Sequence, residues 1–493
     1  MYKPNFDEFK ELAQRGNVVP VYQDMLADLE TPVSVLNRFM DHEHVALFES
    51  VEGGERWGRY SVIGLNPFGI FQVNDGIPSY TENGKTEVLD ASEGAFFALR
   101  QVLKRYRVVQ VPGMPRFFAG ALGYLGYNAI GEFEKMPAPK RRLTEPTAYF
   151  MLLNQAVVFD NVRHIMRLVS CAHINDGDEL SKIYDQACAQ IAALKIELEK
   201  PHPIAKSSGS FEFSQIKSNM TPEYFKEISA KAKSYITAGD IIQVVLSQRF
   251  TAALEASPIQ LYRALRLINP SPYMIFLKTA HDKYLVGSSP EVMVRLNNGK
   301  AELRPIAGTR PRGENESVDR KNANDLLGDE KERAEHLMLV DLGRNDLSRV
   351  AQPGSVQVRE LMVVERYSHV MHLVSNVECV INPDKDAFDL IKATFPAGTL
   401  SGAPKIRAME IISELEPEPR EIYGGAIGYI GFDGNMDMAI TIRTMEIRNG
   451  EIAVQAGGGH VYDSDPEYEF KETQHKARAL FKAVELAVKN LEI

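Results

Sequence analysis

One eight-residue stretch occurs twice in this chain. Gly120 to Tyr127 (GALGYLGY) returns almost letter for letter as Gly425 to Phe432 (GAIGYIGF). A second echo lies upstream of each copy: Gly64, Pro67 and Gly76 have the spacing of Gly287, Pro290 and Gly299. One short Gly-Tyr match could be chance, but two in the same order point to duplication. With 493 residues the chain is also too long for one ordinary core. The expectation is an α+β protein, a large composite of two β-rich modules with antiparallel sheets and helices packed outside. The modules are placed at residues 1–200 and 210–493, joined by a proline- and serine-rich linker, Pro201 to Gly209. In the alignment of the echoes Glu291 falls opposite Phe68, so the second module has an acid that the first lacks, and chemistry is expected there.

The local patterns agree with a β-rich chain. Val45 to Ser50, Arg59 to Gly64 and Phe68 to Val73 read as strands between turns, and Ala148 to Ser170 as two more. Helices are expected over Phe6–Ala13, Glu93–Tyr106, Asp178–Glu199, Thr221–Ala238, Pro258–Leu267 and most of Asp319–Val350. Ala426–Phe432, Met438–Ile447 and Glu451–Gln455 read as a meander with tight turns at Asp433-Gly434 and Asn449-Gly450.

Composition removes several function classes. The net charge is −10, which disfavours nucleic acid as the main partner. The best apolar run, Ala148 to Phe159, is too short to cross a bilayer, so no membrane partner is expected. The N-terminus reads as neither signal nor transit peptide. Cys171, Cys188 and Cys379 have no metal or redox spacing, which favours a cytoplasmic setting. None lies in the tight Gly-x-Cys-x-Gly turn of a nucleophile.

Chemistry-bearing residues concentrate after residue 290. Gly457 to Gly459 close a strand pattern; Asp465-Pro466 then starts a helix on which Glu469, Glu472 and Lys476 share a face. Glu332 and Glu335 are i, i+3 neighbours on another helix. Either pair alone would suit an ordinary charged face; two pairs on separate helices suit one hard cation such as Mg²⁺. His372 sits among apolar residues, as a buried structural histidine or a proton carrier. Gly398 to Pro404 reads as a glycine-rich turn into a helix beginning at Pro404, an anion cradle. Gly308-Thr309-Arg310 is another donor-rich turn. Arg443 alternates with Thr441 and Met445 and so turns away from the aliphatic side of its expected strand. Together these imply a small polyanionic substrate.

PIAGTRPRG (305–313), ERAEHLMLVDLGRND (332–346), PAGTLSGAPK (396–405), Tyr423 to Gly431 and GGGHVYDSDPEYEFKET (457–473) resemble the chorismate-utilising enzymes over most of residues 220–480. The resemblance implies Mg²⁺-dependent amination of chorismate at C2 by ammonia, then loss of pyruvate to give anthranilate. It implies Glu335 and Glu472 as Mg²⁺ ligands, with Glu332 and Glu469 beside them or acting through water. Gly308, Thr309, Tyr423, Arg443 and Gly457, Gly458 and Gly459 match substrate-binding positions. Glu291 matches the general acid at the 4-hydroxyl and His372 the histidine of pyruvate elimination; Thr399 matches a substrate-contacting residue, and Lys476 adds charge. Relatives that use water resemble one another in a lysine where Gln243 stands, and those that aminate C4 in a lysine where Ala307 stands. With no cysteine nucleophile, a glutamine amidotransferase subunit is the expected ammonia source. The family's tryptophan site matches Glu49, Ser50, Pro272, Tyr273 and Met274, so the first module is expected to regulate by feedback inhibition. The alternatives are an aminodeoxychorismate or aminodeoxyisochorismate synthase, or a tryptophan-binding regulator without activity.

Overall fold

The computed structural model describes residues 1–50, 59–204, 206–207, 209–367 and 370–492. In the first half the chain runs α1 (Phe6–Ala13), β1 (Val18–Leu26), α2 (Pro32–Arg38), β2 (Val45–Glu49), β3 (Tyr60–Leu65), β4 (Gly69–Asn74), β5 (Ile77–Glu82), β6 (Lys85–Val88), α3 (Ala98–Leu103), β7 (Gly120–Leu125), β8 (Ala148–Leu153), β9 (Gln155–Asp160), β10 (Ile165–His173) and α4 (Leu180–Leu198). It continues with β11 (Lys217–Ser218), α5 (Pro222–Ala238), β12 (Gln243–Ala253), α6 (Pro258–Ile268), β13 (Tyr273–Ala280), β14 (Lys283–Ser289), β15 (Val292–Asn297), β16 (Lys300–Leu303) and β17 (Ile306–Pro311). Then come α7 (Glu316–Gly328), α8 (Glu330–Ser348), β18 (Gln357–Arg366), β19 (Val370–Val380), α9 (Ala387–Thr394), α10 (Gly398–Ser401), β20 (Gly402–Ala403), α11 (Lys405–Leu415), β21 (Ala426–Gly431), β22 (Met436–Ile440), β23 (Thr444–Arg448), β24 (Glu451–His460) and α12 (Pro466–Val488).

Among the described residues two 12-stranded antiparallel sheets stack face to face, each with one strand off its main order: β20 beside β12 in the first and β18 beside β19 in the second. The first runs β1-β10-β9-β3-β2-β13-β14-β23-β24-β12-β11, and the second β17-β19-β16-β15-β22-β21-β7-β8-β4-β5-β6. Each order is nearly a palindrome of the duplication. Outward from its centre the first sheet reads β2-β3-β9-β10-β1 one way and β13-β14-β23-β24-β12 the other. The second reads β7-β8-β4-β5 and β21-β22-β15-β16. The central pairs join equivalent residues: Leu47 faces Phe276, and Gly123 faces Gly428. A pseudo-twofold axis therefore passes through both sheets, and the duplication expected from the echoes is present in the strand order.

The halves do not form separate cores. Each sheet takes strands from both, so 201–209 divides the repeats in sequence without dividing the hydrophobic interior. One core lies between the sheets, one between the first sheet and α1, α2, α4, α6 and α12, and one between the second sheet and the helices of its outer face. Strands β7, β8 and β9 are buried at every residue because both faces are covered, which erases the period-2 signal.

Several elements differ from expectation. The expected strand Met438–Ile447 is two strands: the chain leaves the second sheet after Ile440 and enters the first at Thr444. The same switch occurs at Asn154, between β8 and β9, so Ala148–Ser170 contains β8, β9 and most of β10. Asp319–Val350 is two helices, because the Asp329 side chain accepts from the amides of Lys331 and Glu332 and starts a new one. The helix expected over Glu93–Tyr106 contracts to α3.

Candidate active site

The largest polar concavity of the second half, about 500 Å³, lies where β12 and β24 meet α8 and α12. Val245 pairs with Gly459 and Ser247 with Gly457, so the glycines are strand residues rather than a terminal loop. On the other edge β23 reaches β24 only as far as Val454, and the glycine stretch is left without a strand neighbour there among the described residues. Glycine is required for close approach. A Cβ on Gly457 would lie 2.8 Å from Tyr423 Oη, one on Gly458 2.8 Å from Glu469 Oε2, and one on Gly459 2.9 Å from Gln243 Nε2.

Helix α12 is capped by Asp465, whose side chain accepts from the Tyr468 amide. Its first turns bring Glu469, Glu472 and Lys476 to the cavity; Lys476 Nζ pairs with Glu472 at 2.7 Å and donates to Gly457 O at 2.9 Å. Helix α8 supplies Glu332 and Glu335 from the facing wall. Arg310 reaches Glu332 at 3.5 Å. Negative charge exceeds its local compensation. Burial and the neighbouring Glu472 push the Glu469 carboxyl up, and its buried Oε2 has no hydrogen-bond partner among the described residues. Burial, then Glu332, raises Glu335, whose carboxylate accepts from the Gln243 amide. Burial also opposes the charge of Glu472, but Lys476 outweighs it and holds that acid low. An orphaned carboxylate oxygen among mutually repelling acids fits a divalent cation. No group of three or more acidic, histidine or cysteine side chains placed to hold a metal ion is found among the described residues.

Glu291, after β14, is buried in the same cavity and accepts from Thr399 Oγ1 at 3.0 Å. Burial pushes its carboxyl up to about 8, so it is mostly protonated at neutral pH. His372 on β19 stands beside Gly308 and Thr309, just behind the lining: Nδ1 lies 2.7 Å from Gly308 O and 3.2 Å from Thr309 Oγ1. The carbonyl fixes the proton on Nδ1 and leaves Nε2 as the basic nitrogen. Burial lowers the His372 pKa, the contact with Gly308 O opposes it, and Arg443 adds to the lowering. Arg443 is half-buried in the cavity wall, and desolvation lowers its pKa; no ion pair to it is found among the described residues. It sits at the switch between sheets with φ +50°, not in a strand.

Thirteen of the expected residues line one cavity: Glu291, Gly308, Thr309, Glu332, Glu335, Thr399, Tyr423, Arg443, Gly457, Gly459, Glu469, Glu472 and Lys476. Gly458 backs Glu469 from outside the lining. The expected anion cradle at the start of α11 lies elsewhere. Pro404 is the cap rather than the first residue of that helix, and Gly402 is pressed on β12, where a Cβ would meet Gln243 O at 2.1 Å. Only Thr399 and Leu400 of the turn reach the cavity. Gln455 and Ser464 were not anticipated. Gln455 lines the wall in phase with Gly457, and its Nε2 donates to Ser247 Oγ at 2.9 Å; Ser464 Oγ donates to Gly459 O at 3.4 Å. Phase with the glycines was the available signal for Gln455.

A second cavity of about 520 Å³ lies between the sheets in the first half. Ser50, Pro272 and Tyr273 line it with Phe48, Tyr60, Phe117 and Tyr429. Glu49 borders it, but its carboxylate turns to α6, accepting from Tyr262 Oη at 2.6 Å and Arg266 Nε at 2.8 Å. Met274, paired with Glu49 across the strands, is buried in the core under the same helix.

With this geometry in place, comparison with known proteins defines the class. The family model for chorismate binding enzymes matches residues 46–482, and the chain belongs to that family. Within it, the relatives that align end to end are anthranilate synthase component 1 enzymes, and the chain groups with them as an enzyme of that kind. It is 43% identical to the Acetivibrio thermocellus protein over 99% of both chains. It is 46% identical to the Pseudomonas aeruginosa protein, over 99% of this chain and all of that one. The crystal structure of anthranilate synthase component I from Streptococcus pneumoniae aligns with a TM-score of 0.77 at 35% identity, covering 92% of this chain and 98% of that one. The menaquinone-specific isochorismate synthase MenF of Escherichia coli shares the fold, with a TM-score of 0.71 at 17% identity over 97% and 98% of the two chains.

Proposed function

We propose that the cavity converts chorismate and ammonia to anthranilate and pyruvate in the presence of Mg²⁺. The observation that carries this reading is a protonated, Thr399-bonded Glu291 in one cavity with a half-buried Arg443 for which no ion pair is found among the described residues. A dianionic substrate supplies the missing negative charge. Arg443, Tyr423 and the open-edge backbone of Gly457–Gly459 take its carboxylates, with Lys476 behind them. Hydroxide leaves poorly, so Glu291 gives its proton to the departing 4-hydroxyl as ammonia adds at C2. Mg²⁺ held by Glu335 and Glu472, with Glu332 and Glu469 beside them, would neutralise the ring carboxylate and draw electron density from the ring. Gln243 cannot activate water as a base and Ala307 cannot form an adduct, which supports ammonia entering at C2. His372 Nε2 then takes the C2 proton as the bond from the ring to the enolpyruvyl oxygen breaks, and a proton passed to the methylene carbon of that group completes pyruvate.

The ammonia comes from a separate glutamine amidotransferase. The relatives' designation as component 1 supports a partner, and so do the cysteines: Cys171 and Cys379 are buried, and burial raises all three thiols. The inter-sheet cavity takes L-tryptophan as feedback inhibitor, its aromatic walls matching an indole ring. The test mixes the purified chain with chorismate, Mg²⁺ and ammonium and follows anthranilate fluorescence and pyruvate. Both products are expected from ammonium and neither from glutamine. Isochorismate, or an amino ester accumulating without pyruvate, would assign the chain to a different reaction.

A further inference from the structure

The proposed reaction uses a Thr399-bonded Glu291, yet the segment that carries Thr399 cannot hold itself in place. Helix α10 is a single turn of four residues, too short to be stable without tertiary support. That support comes from an arginine outside the cavity lining. Arg420 is 1% exposed. Its Nη1 donates at 2.6 Å to Leu400 O, near the end of the turn. Its Nη2 donates at 2.7 Å to Val245 O on β12. One planar guanidinium thus pins the turn to a strand of the site. The same group lies over the Tyr423 ring, 5.6 Å from its centroid, and over the Tyr127 ring at 4.8 Å. Val245, Thr399, Leu400 and Tyr423 all line the cavity.

A buried cation needs a partner, and Glu416 provides it. Nε and Nη2 of Arg420 meet the two Glu416 oxygens at 2.9 and 2.6 Å. Glu416 Oε1 also accepts from the amide and the hydroxyl of Ser247, both at 2.8 Å. Ser247 Oγ in turn accepts from Gln455, another lining residue. Buried ion pairs are weak evidence for stability; what this one supplies is a fixed geometry at the cavity. It is also confined to the half with the candidate site. Counted back from the echoed Gly120 and Gly425, Arg420 corresponds to Pro115 and Glu416 to Val111.

We infer that Arg420, held by Glu416, is a positioning residue: it fixes the Thr399–Leu400 turn and the Tyr423 ring so that Thr399 Oγ1 meets the Glu291 carboxyl at 3.0 Å. The inference rests on the reading of the cavity proposed above. Arg420 itself does not reach the cavity lining. Its loss frees the turn, and a displaced Thr399 no longer bonds Glu291. A hydrogen bond donated to a carboxylate favours the charged form, so losing this one carries the Glu291 pKa further up. The alkaline limb of activity then moves to higher pH, while kcat falls because the acid is misplaced.

The test is steady-state kinetics of anthranilate formation from chorismate, Mg²⁺ and ammonium across the alkaline range, at a constant concentration of free ammonia. Arg420→Lys keeps the charge but has no fork to span Leu400 O, Val245 O and Glu416. Arg420→Met combined with Glu416→Gln removes both charges together and keeps an acceptor for Ser247. Thermal unfolding reports the folded fraction of each. Both are expected to lose at least about tenfold in kcat, with the limb moved upward from its wild-type position. Thr399→Val is expected to move the limb the same way, and adding Arg420→Lys to it moves the limb no further, because both act through one bond. Wild-type kcat and limb in both folded variants overturn the inference. So does a loss that only follows the folded fraction with the limb in place, or a limb shift that adds to that of Thr399→Val. A wild-type chain that makes no anthranilate, or a limb that persists in Glu291→Gln, overturns the reading of the cavity and this inference with it.

Discussion

Glu291 is the residue on which the proposed chemistry turns, and its environment predicts a pH limb. The acid is competent while protonated; with burial holding its pKa at about 8, ammonium-dependent activity falls as pH rises through that value. The free carboxylate of an exposed glutamate would give the limb near pH 4 instead. Glu291→Gln keeps the Thr399 contact but cannot donate a proton: kcat is expected to fall by about 10²–10⁴ and the alkaline limb to vanish. A Gln variant with wild-type kcat would remove the acid from the mechanism. Arg443→Met should act differently, raising the KM for chorismate by at least about tenfold, because a half-buried cation that meets the substrate charge is lost. Steady-state kinetics separate the two. Both residues were legible in sequence as members of motifs, but the reason drawn for Arg443 was wrong. Alternation along a strand placed it in the wall, whereas it occupies a turn between sheets. Ser464 was illegible because it is an ordinary polar residue until the helix is in place, and Gln455 had no signal beyond its phase with the glycines.

At the scale of elements, the glycines explain why these segments can form a site. Gly308 has φ +67°, and a Cβ there would lie 2.9 Å from Leu326 Cδ1 and 3.1 Å from Glu332 Oε2. Gly308→Ala is expected to cost about 1–2 kcal/mol from the left-handed conformation. It should also move the carbonyl that orients His372 and the carboxylate of Glu332, so kcat falls along with the melting temperature. Unchanged unfolding and kinetics would show that β17 is not a fixed part of the site. Helices with side-chain caps were readable from sequence: Thr221 starts α5 and Asp465 starts α12, as their capping bonds require. The buried strands were readable as apolar runs but not in number. β8, β9 and β10 follow one another with little punctuation, and the step from one sheet to the other at Asn154 leaves no period to detect. The same blindness merged β22 with β23.

At the scale of the whole molecule, the duplication leaves the candidate active site in one half only. The strand positions of Gly457, Gly458 and Gly459 correspond to Cys171, Ala172 and His173, and Glu291 to Phe68. Phe68, Tyr106, His173 and Phe432 pack together where the second half has its cavity. The second half also carries α7, α8 and β17–β19 between β16 and β21, and these bring Glu332, Glu335 and His372. Freed from catalysis, the first half keeps its inter-sheet cavity, which lies against the central pair β2–β13, far along the sheet from β12 and β24. A ligand there can act on the active site only through the shared sheet, so binding and turnover should be separable by mutation. Ser50 sits in that cavity wall, away from every catalytic group. Ser50→Phe fills the space a second aromatic ring would occupy, and ammonium-dependent kcat in the absence of tryptophan should stay at the wild-type level. Saturating tryptophan should inhibit the wild type and leave the variant active. It should also raise the unfolding free energy of the wild type by about 2.7 kcal/mol at a hundredfold excess over Kd, and that of the variant hardly at all. Measuring inhibition and thermal unfolding on the same samples decides the matter: a variant that remains fully inhibited and stabilised places the tryptophan site elsewhere in the molecule.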